Sequence, residues 1–251
     1  MRRVPVGAVV LAGAMVFMFI LTNLAGWFGD GARRETVAAD PARPFVGTPA
    51  QDWADGDAGI VVPPFEAIGT HSTEAIADAY ARARDVVAAA MLEPAVIMGV
   101  DYEPYLRLFA EGDQESLRAV LADPQRVDRF VVRLGPDTTL LPVPPKVRGR
   151  MWAESGGTGK LLVKTRFVVV YPLHTDDGPR VQVARLDMDL TVVGEGRPEA
   201  DRGVWLNETQ GYPAECGHQS GGVDAVTGAG GLPDALFDPD RPIGSGSSCP
   251  R

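Results

Sequence analysis

The stretch Leu161 to Tyr171, "LLVKTRFVVVY", constrains this chain more than any other feature. Leu161, Val163, Thr165, Phe167, Val169 and Tyr171 recur at every second position, with Lys164 and Arg166 between them. A period of two is the signature of a strand with one face buried and the other wet. A single strand cannot bury that face alone, so the pattern requires a sheet and something apolar to cover it. The run "ARLDMDLTVV", Ala184 to Val193, continues the pattern after the turn-like "HTDDGP" and puts Leu186, Met188 and Leu190 on one face and Asp187 and Asp189 on the other. In an antiparallel hairpin with Phe167 and Leu186 on the same face, a register in which opposed residue numbers sum to 353 sets Lys164 against Asp189 and Arg166 against Asp187. Each acid then faces a base, and exposed cross-strand pairs of this kind contribute about 0.2–1 kcal/mol and help hold register.

The same alternation extends on both sides. Lys146 to Glu154, with Val147, Met151 and Ala153 inward, reads as a strand before the hairpin, and Val204 to Thr209 as one after it. Upstream the period is helical. Ser72 is the expected N-cap of a helix whose stripe is Ile76, Tyr80, Ala83, Val87 and Met91, ended by Pro94 and Gly99. Shorter helices are expected over Tyr102 to Ala110, with Leu106 and Phe109 inward, and over Gln114 to Ala122, with Leu117, Val120 and Leu121 inward. Asp123-Pro124 reads as an N-cap and first turn of a further helix carrying Val127, Phe130, Val131 and Leu134; a strand over Phe130 to Leu134 is the competing assignment. Helices first and a meander second define an α+β domain, its helices packed on a curved antiparallel sheet of about four strands.

Ahead of this domain, Val4 to Phe28 contains no ionisable side chain. As a helix those 25 residues reach about 37 Å, more than the ~30 Å hydrocarbon core of a bilayer. The segment therefore reads as a single transmembrane anchor, residues 1–29. A cleaved signal peptide is the alternative, disfavoured by the length of the apolar run and by the charged Arg33-Arg34-Glu35 before the nearest small-residue site. Arg2, Arg3 and the amino terminus set the N-terminus on the cytoplasmic side, so the remainder is expected outside the cytoplasm at the cell membrane. Residues 30–69 form a juxtamembrane linker partly packed on the domain through Trp53, Ile60, Val61, Val62, Phe65 and Ile68. The extracytoplasmic domain spans 70–218, and residues 219–251, rich in Gly, Ser, Pro and Asp, are expected to be disordered.

Charge and motif narrow the function by exclusion. With 24 Lys and Arg against 33 Asp and Glu, a formal charge of −9, the surface repels a phosphate backbone, and nucleic acid is not an expected partner. Asp187 and Asp189 share a strand face, the arrangement of an Asp-x-Asp metal pair, yet no further oxygen ligands or phosphate-binding loop accompany them. "GGTGK", Gly156 to Lys160, lacks the spacing of a phosphate-binding loop and enters a strand, which makes it a hairpin turn. His71 precedes a helix, His174 lies in a turn and His218 beside Cys216, with no nucleophile elbow near them. Tyr80 and Tyr105 are core aromatics or, in the alternative, the lining of an interior pocket. No catalytic, cofactor-binding or metal residue is assigned, and no cofactor is expected. Cys216 and Cys249 are either a disulfide, closing a loop worth about 3–4 kcal/mol in the chain-entropy model, or two free thiols.

"TPAQDWADGDAGIVVPP", lying between one N-terminal span and the helix "AIADAYARARDVVAAAMLEPAVIMG", resembles a family of single-span, membrane-anchored actinobacterial proteins. Trp53 to Gly56 and Gly59-Ile60-Val61 carry the resemblance. It implies a cell-envelope context and no particular chemistry. The order of helices and strands also resembles the cone-shaped fold of nuclear transport factor 2, ketosteroid isomerase and SnoaL-like cyclases, which serves both enzymes and protein-binding scaffolds. The expectation is a non-enzymatic envelope protein with a protein partner or self-association. The alternative is binding of a small apolar ligand, or an enzyme of the SnoaL or ketosteroid isomerase kind working in a cone-shaped pocket.

Overall fold

The structure, a computed structural model, describes residues 40–134, 138–175, 178–211, 222–226 and 234–242. The segment 4–28, Cys216, His218 and Cys249 lie outside these residues. Among the described residues no helix is long and apolar enough to cross a membrane.

The fold is α+β, built on a curved antiparallel sheet. Seven strands contribute: β1 (Ala54–Asp55), β2 (Thr139–Leu140), β3 (Lys146–Ser155), β4 (Lys160–Thr175), β5 (Gly178–Val193), β6 (Gly203–Gly211) and β7 (Gly222–Val226). The main path runs β1-β3-β4-β5-β6, with β2 beside β4 and β7 beside β5. Four strands are long, as the alternation requires, and three short ones extend the edges. β4 and β5 pair along their whole lengths, with Phe167 opposite Leu186, Lys164 opposite Asp189 and Arg166 opposite Asp187. Gly156 to Gly159 make the turn from β3 to β4: Gly156 N donates to the Lys160 carbonyl at 2.9 Å, and Gly157 and Gly159 have φ of 94° and 69°. Those angles fall in the left-handed region that glycine enters without a side-chain penalty. β6 pairs with the end of β5 across an irregularity between Asp189 and Leu190, where Asn207 is the unpaired extra residue of a bulge.

The inner face of the sheet is covered by α1 (Thr73–Met91), α2 (Pro94–Ile97), α3 (Glu103–Leu106) and α4 (Glu111–Leu121). The Ser72 side chain accepts from Ala75 N at 3.3 Å and starts α1. Ile76, Ala79, Tyr80, Ala83, Val86, Val87, Ala90 and Met91 are its buried stripe. They meet Val147, Met151, Leu161, Val163, Phe167, Val169, Leu186, Met188 and Leu190 in one continuous core.

No regular helix follows Asp123-Pro124, and no strand covers Phe130 to Leu134; only the single turn Val127–Arg129 forms. The reason lies in the ends of the other helices. A helix leaves its last carbonyls without internal partners. Val132 N donates to Ala90 O at 3.0 Å and Leu134 N to Ile97 O at 2.8 Å, so the carbonyls ending α1 and α2 take amides that a further helix would need. Tyr171 completes the set by donating its hydroxyl to Met91 O at 2.5 Å. Val120, expected inward, is half-exposed, while Leu117 and Leu121 are buried.

A second, smaller core lies on the opposite face of the sheet, where the alternation predicts water. Val168, Val170, Val181 and Val183 pack there with Phe45, Ala50, Leu236 and Phe237. The described parts of 219–251 are thus not a disordered tail: β7 pairs with β5, and Leu236 and Phe237 are buried. Two apolar side chains were too few to register as a period, but the valines leave an apolar outer surface that these two cover together with Phe45 and Ala50.

Candidate functional site

The charged face of the β4–β5 hairpin gathers several titratable groups. Its register brings Lys164 to Asp189 and Arg166 to Asp187 as backbone partners, but the ion pairs are distributed differently from a simple two-by-two arrangement. Arg166 Nε is 3.6 Å from Asp187 Oδ2, at the loose end of such contacts. Both oxygens of Asp187 are instead taken by Arg185 on the same strand, Nε to Oδ1 at 2.9 Å and Nη2 to Oδ2 at 2.7 Å. Lys164 reaches Glu154 on β3 at 3.4 Å rather than closing on Asp189. A long side chain reaches diagonal neighbours and residues two apart on its own strand as well as the directly opposed position.

Arg185 is the residue that the pattern concealed. It is 2% exposed, opposite Val168, and its Nη1 donates to the carbonyl of Asp238 at 3.4 Å and to that of Arg241. A guanidinium has five donors in a rigid fork, which suits one carboxylate and two carbonyls at once. The signal was present in Arg185-Leu186-Asp187, where two opposite charges two apart must share a strand face. Burial pushes the Asp187 carboxyl up from its ordinary value, and Arg185 and Arg166 pull it back. Burial also raises Asp189, with Glu208 and Glu154 adding to the effect and Lys164 opposing it.

Beside this network stands an aromatic one. Arg150 and Arg166 are direct cross-strand partners, and both guanidinium carbons lie over Trp152, at 5.1 and 5.3 Å from its ring. Two like charges directly opposed are destabilising. Here the indole that both approach and a carboxylate for each, Asp240 at 2.8 Å for Arg150 and Asp187 for Arg166, offset the repulsion. Arg166 and Arg185 are engaged with Asp187, Lys164 with Glu154, and Arg150 with Asp240. The arrangement can hold strands and the 238–241 segment together; it presents no acid and base converging on a reacting atom.

The other singled-out residues are dispersed. His71 is buried, with Nε2 3.1 Å from the Gly157 carbonyl, tying the start of α1 to the β3–β4 turn. His174 is exposed on β4 opposite Thr139. Tyr80 packs on Phe65 at 5.7 Å between ring centroids. Tyr105 is fully buried against Phe109 at 4.8 Å, and its hydroxyl has no hydrogen-bond partner among the described residues. Its phenol is pushed up from the ordinary value by burial, with the Asp113 charge adding. Asp113 itself accepts from Leu206 N at 2.9 Å and so ties α4 to the outer edge of β6. Apart from tyrosine hydroxyls, the buried polar or charged residues among the described residues are His71, Thr165, Gln182 and Arg185, and no carboxylate is among them. No group of three or more His, Cys, Asp or Glu among the described residues is placed to hold a metal ion. Comparison with protein-family models, with curated proteins and with solved structures finds no match, so a functional reading rests on the residues and geometry above.

Proposed function

We propose that this chain is a non-enzymatic, single-span envelope protein of the actinobacterial type, anchored through residues 4–28, whose extracytoplasmic α+β domain acts by binding a partner protein or a second copy of itself. The observation that carries the reading is the interior. An enzyme in a cone-shaped fold needs an acid or base aimed into a cavity. Here α1 to α4 and the inner face of β3 to β6 meet in apolar side chains, and the carboxylates of Asp187 and Asp189 belong to the opposite face. The uncharged run Val4 to Phe28 supports the anchor, and the net charge of −9 supports a protein rather than a nucleic-acid partner.

The test is crosslinking in intact membranes followed by affinity capture of the full chain. A discrete crosslinked species, hetero-oligomer or dimer, is the expected result. Recovery of the monomer alone under several crosslinkers would refute the interaction role, and release of the chain by alkaline carbonate would refute the anchor.

A second reading, a small apolar ligand held inside the cone, is favoured by one atom: the buried, unpartnered hydroxyl of Tyr105 beside Asp113. A panel of small apolar molecules with one polar group, followed by thermal shift, tests it. Stabilisation of the wild-type chain that is lost in Tyr105→Phe would support that reading. No shift across the panel would remove it.

A further inference from the structure

Two segments far apart in the chain meet on the outer face of the sheet. The first, residues 40–53, buries Pro44, Phe45 and Ala50 and half-buries Trp53. The second, 234–242, buries Leu236 and Phe237. Their shared floor is the valine patch Val168, Val170, Val181 and Val183. Trp53 and Phe237 join them edge to face, with ring centroids 6.0 Å apart.

The two segments are held to the sheet by different means. The first is fastened at the β3 edge: Lys146 Nζ donates to the Trp53 carbonyl at 3.0 Å and lies 5.7 Å from the Phe45 ring, while Arg148 lies 5.8 Å from the Trp53 ring. The Arg148–Trp53 contact involves an exposed guanidinium and is weak, so the burial of Phe45 and Ala50 beside Phe237 supplies most of the hold. The second is fastened independently, by Arg185 to the carbonyls of Asp238 and Arg241 and by the Arg150–Asp240 pair at 2.8 Å.

We propose that residues 234–242 are a clasp that keeps residues 40–53 docked on the valine face, so that removing or displacing the clasp undocks the first segment while the sheet stays folded. The separation follows from where the energy sits. The main core is on the other face and involves neither segment. Segments with few buried apolar contacts open below the global unfolding free energy. Because the coupling between two docked segments is reciprocal, loosening 40–53 also loosens 234–242.

Opening the clasp would uncover the four valines together.

Hydrogen exchange on the full chain in nanodiscs tests the clasp, with the wild type compared with a truncation after Pro233, with Phe237→Ala and with Trp53→Ala. The expected result is at least about tenfold faster exchange over residues 42–53 in the first two variants, with residues 161–193 unchanged. Trp53→Ala should speed exchange over 236–241. Unchanged protection of 42–53 in Phe237→Ala would overturn the proposal, as would equal acceleration across 161–193, which would make both segments part of one cooperative fold. If the truncation unfolds the sheet, Phe237→Ala alone decides. Carbonate extraction of the wild type reads the anchor separately, so a soluble chain with a working clasp and an anchored chain without one are distinguishable outcomes.

Discussion

Two tyrosines in the main core make opposite predictions for the same substitution. Tyr171 and Tyr105 are both 0% exposed. The Tyr171 hydroxyl donates to Met91 O, the carbonyl of the last residue of α1, at 2.5 Å, and so ties the end of that helix to β4. Tyr171→Phe removes one oxygen and leaves no large cavity. Its cost is a lost hydrogen bond plus a buried carbonyl without a partner, about 1–3 kcal/mol, roughly 5- to 150-fold in the folding equilibrium. Tyr105→Phe removes a hydroxyl that has no partner among the described residues. That substitution is expected to be neutral or stabilising by about 1 kcal/mol, since a buried unsatisfied group disfavours the folded state. Urea denaturation of the full chain in detergent, followed by tryptophan fluorescence, measures both. The m-value should not change, because neither substitution alters the area exposed on unfolding.

The same pair sets an alkaline limit. Burial raises both phenols well above their ordinary value near 10. Above about pH 10 the unfolded chain releases these protons and the folded chain keeps them, so the native state binds more protons and stability falls as pH rises. Each tyrosine contributes about 1.4 kcal/mol per pH unit in that range. Tyr171→Phe should reduce the slope by that amount while lowering stability at pH 7. Equal destabilisation by the two substitutions at pH 7 would refute the reasoning, because it would mean that the Tyr105 hydroxyl is satisfied or that the Tyr171 bond carries nothing.

Two further outcomes follow from the sheet. At Gly149 a Cβ would overlap the Arg166 carbonyl and the Phe167 ring and lie 2.7 Å from Phe167 Cα; Gly149→Ala is expected to destabilise by roughly 3 kcal/mol, the upper end for overpacking, and a loss under 0.5 kcal/mol in the same urea assay would contradict that contact. The Asp189 carboxyl should titrate above its ordinary range in an NMR titration, and Lys164→Met should raise it further because Lys164 opposes the shift; a downward movement would show that the lysine does not act on it.

The alternation in Leu161 to Tyr171 and in Ala184 to Val193 determined the central hairpin, its faces and its register, because a period of two admits one inward set and a one-residue slip would turn every core side chain to water. The stripe from Ile76 to Met91 likewise determined α1, and the glycines at 156, 157 and 159 determined the turn. These are local facts, repeated often enough along the chain to be read from it.

Other features were decided only by the tertiary structure, because they depend on groups remote in sequence. Val127 to Leu134 kept helical spacing, yet its amides were claimed by carbonyls at the ends of α1 and α2. Opposed charges on β4 and β5 predicted two pairs, and a third strand and Arg185 redistributed them. Leu236 and Phe237 looked like isolated apolar residues in a polar segment until Val168, Val170, Val181 and Val183 gave them a surface. A period reveals which face of an element is apolar. Only the folded chain decides what covers that face, because the covering residues need no periodicity of their own.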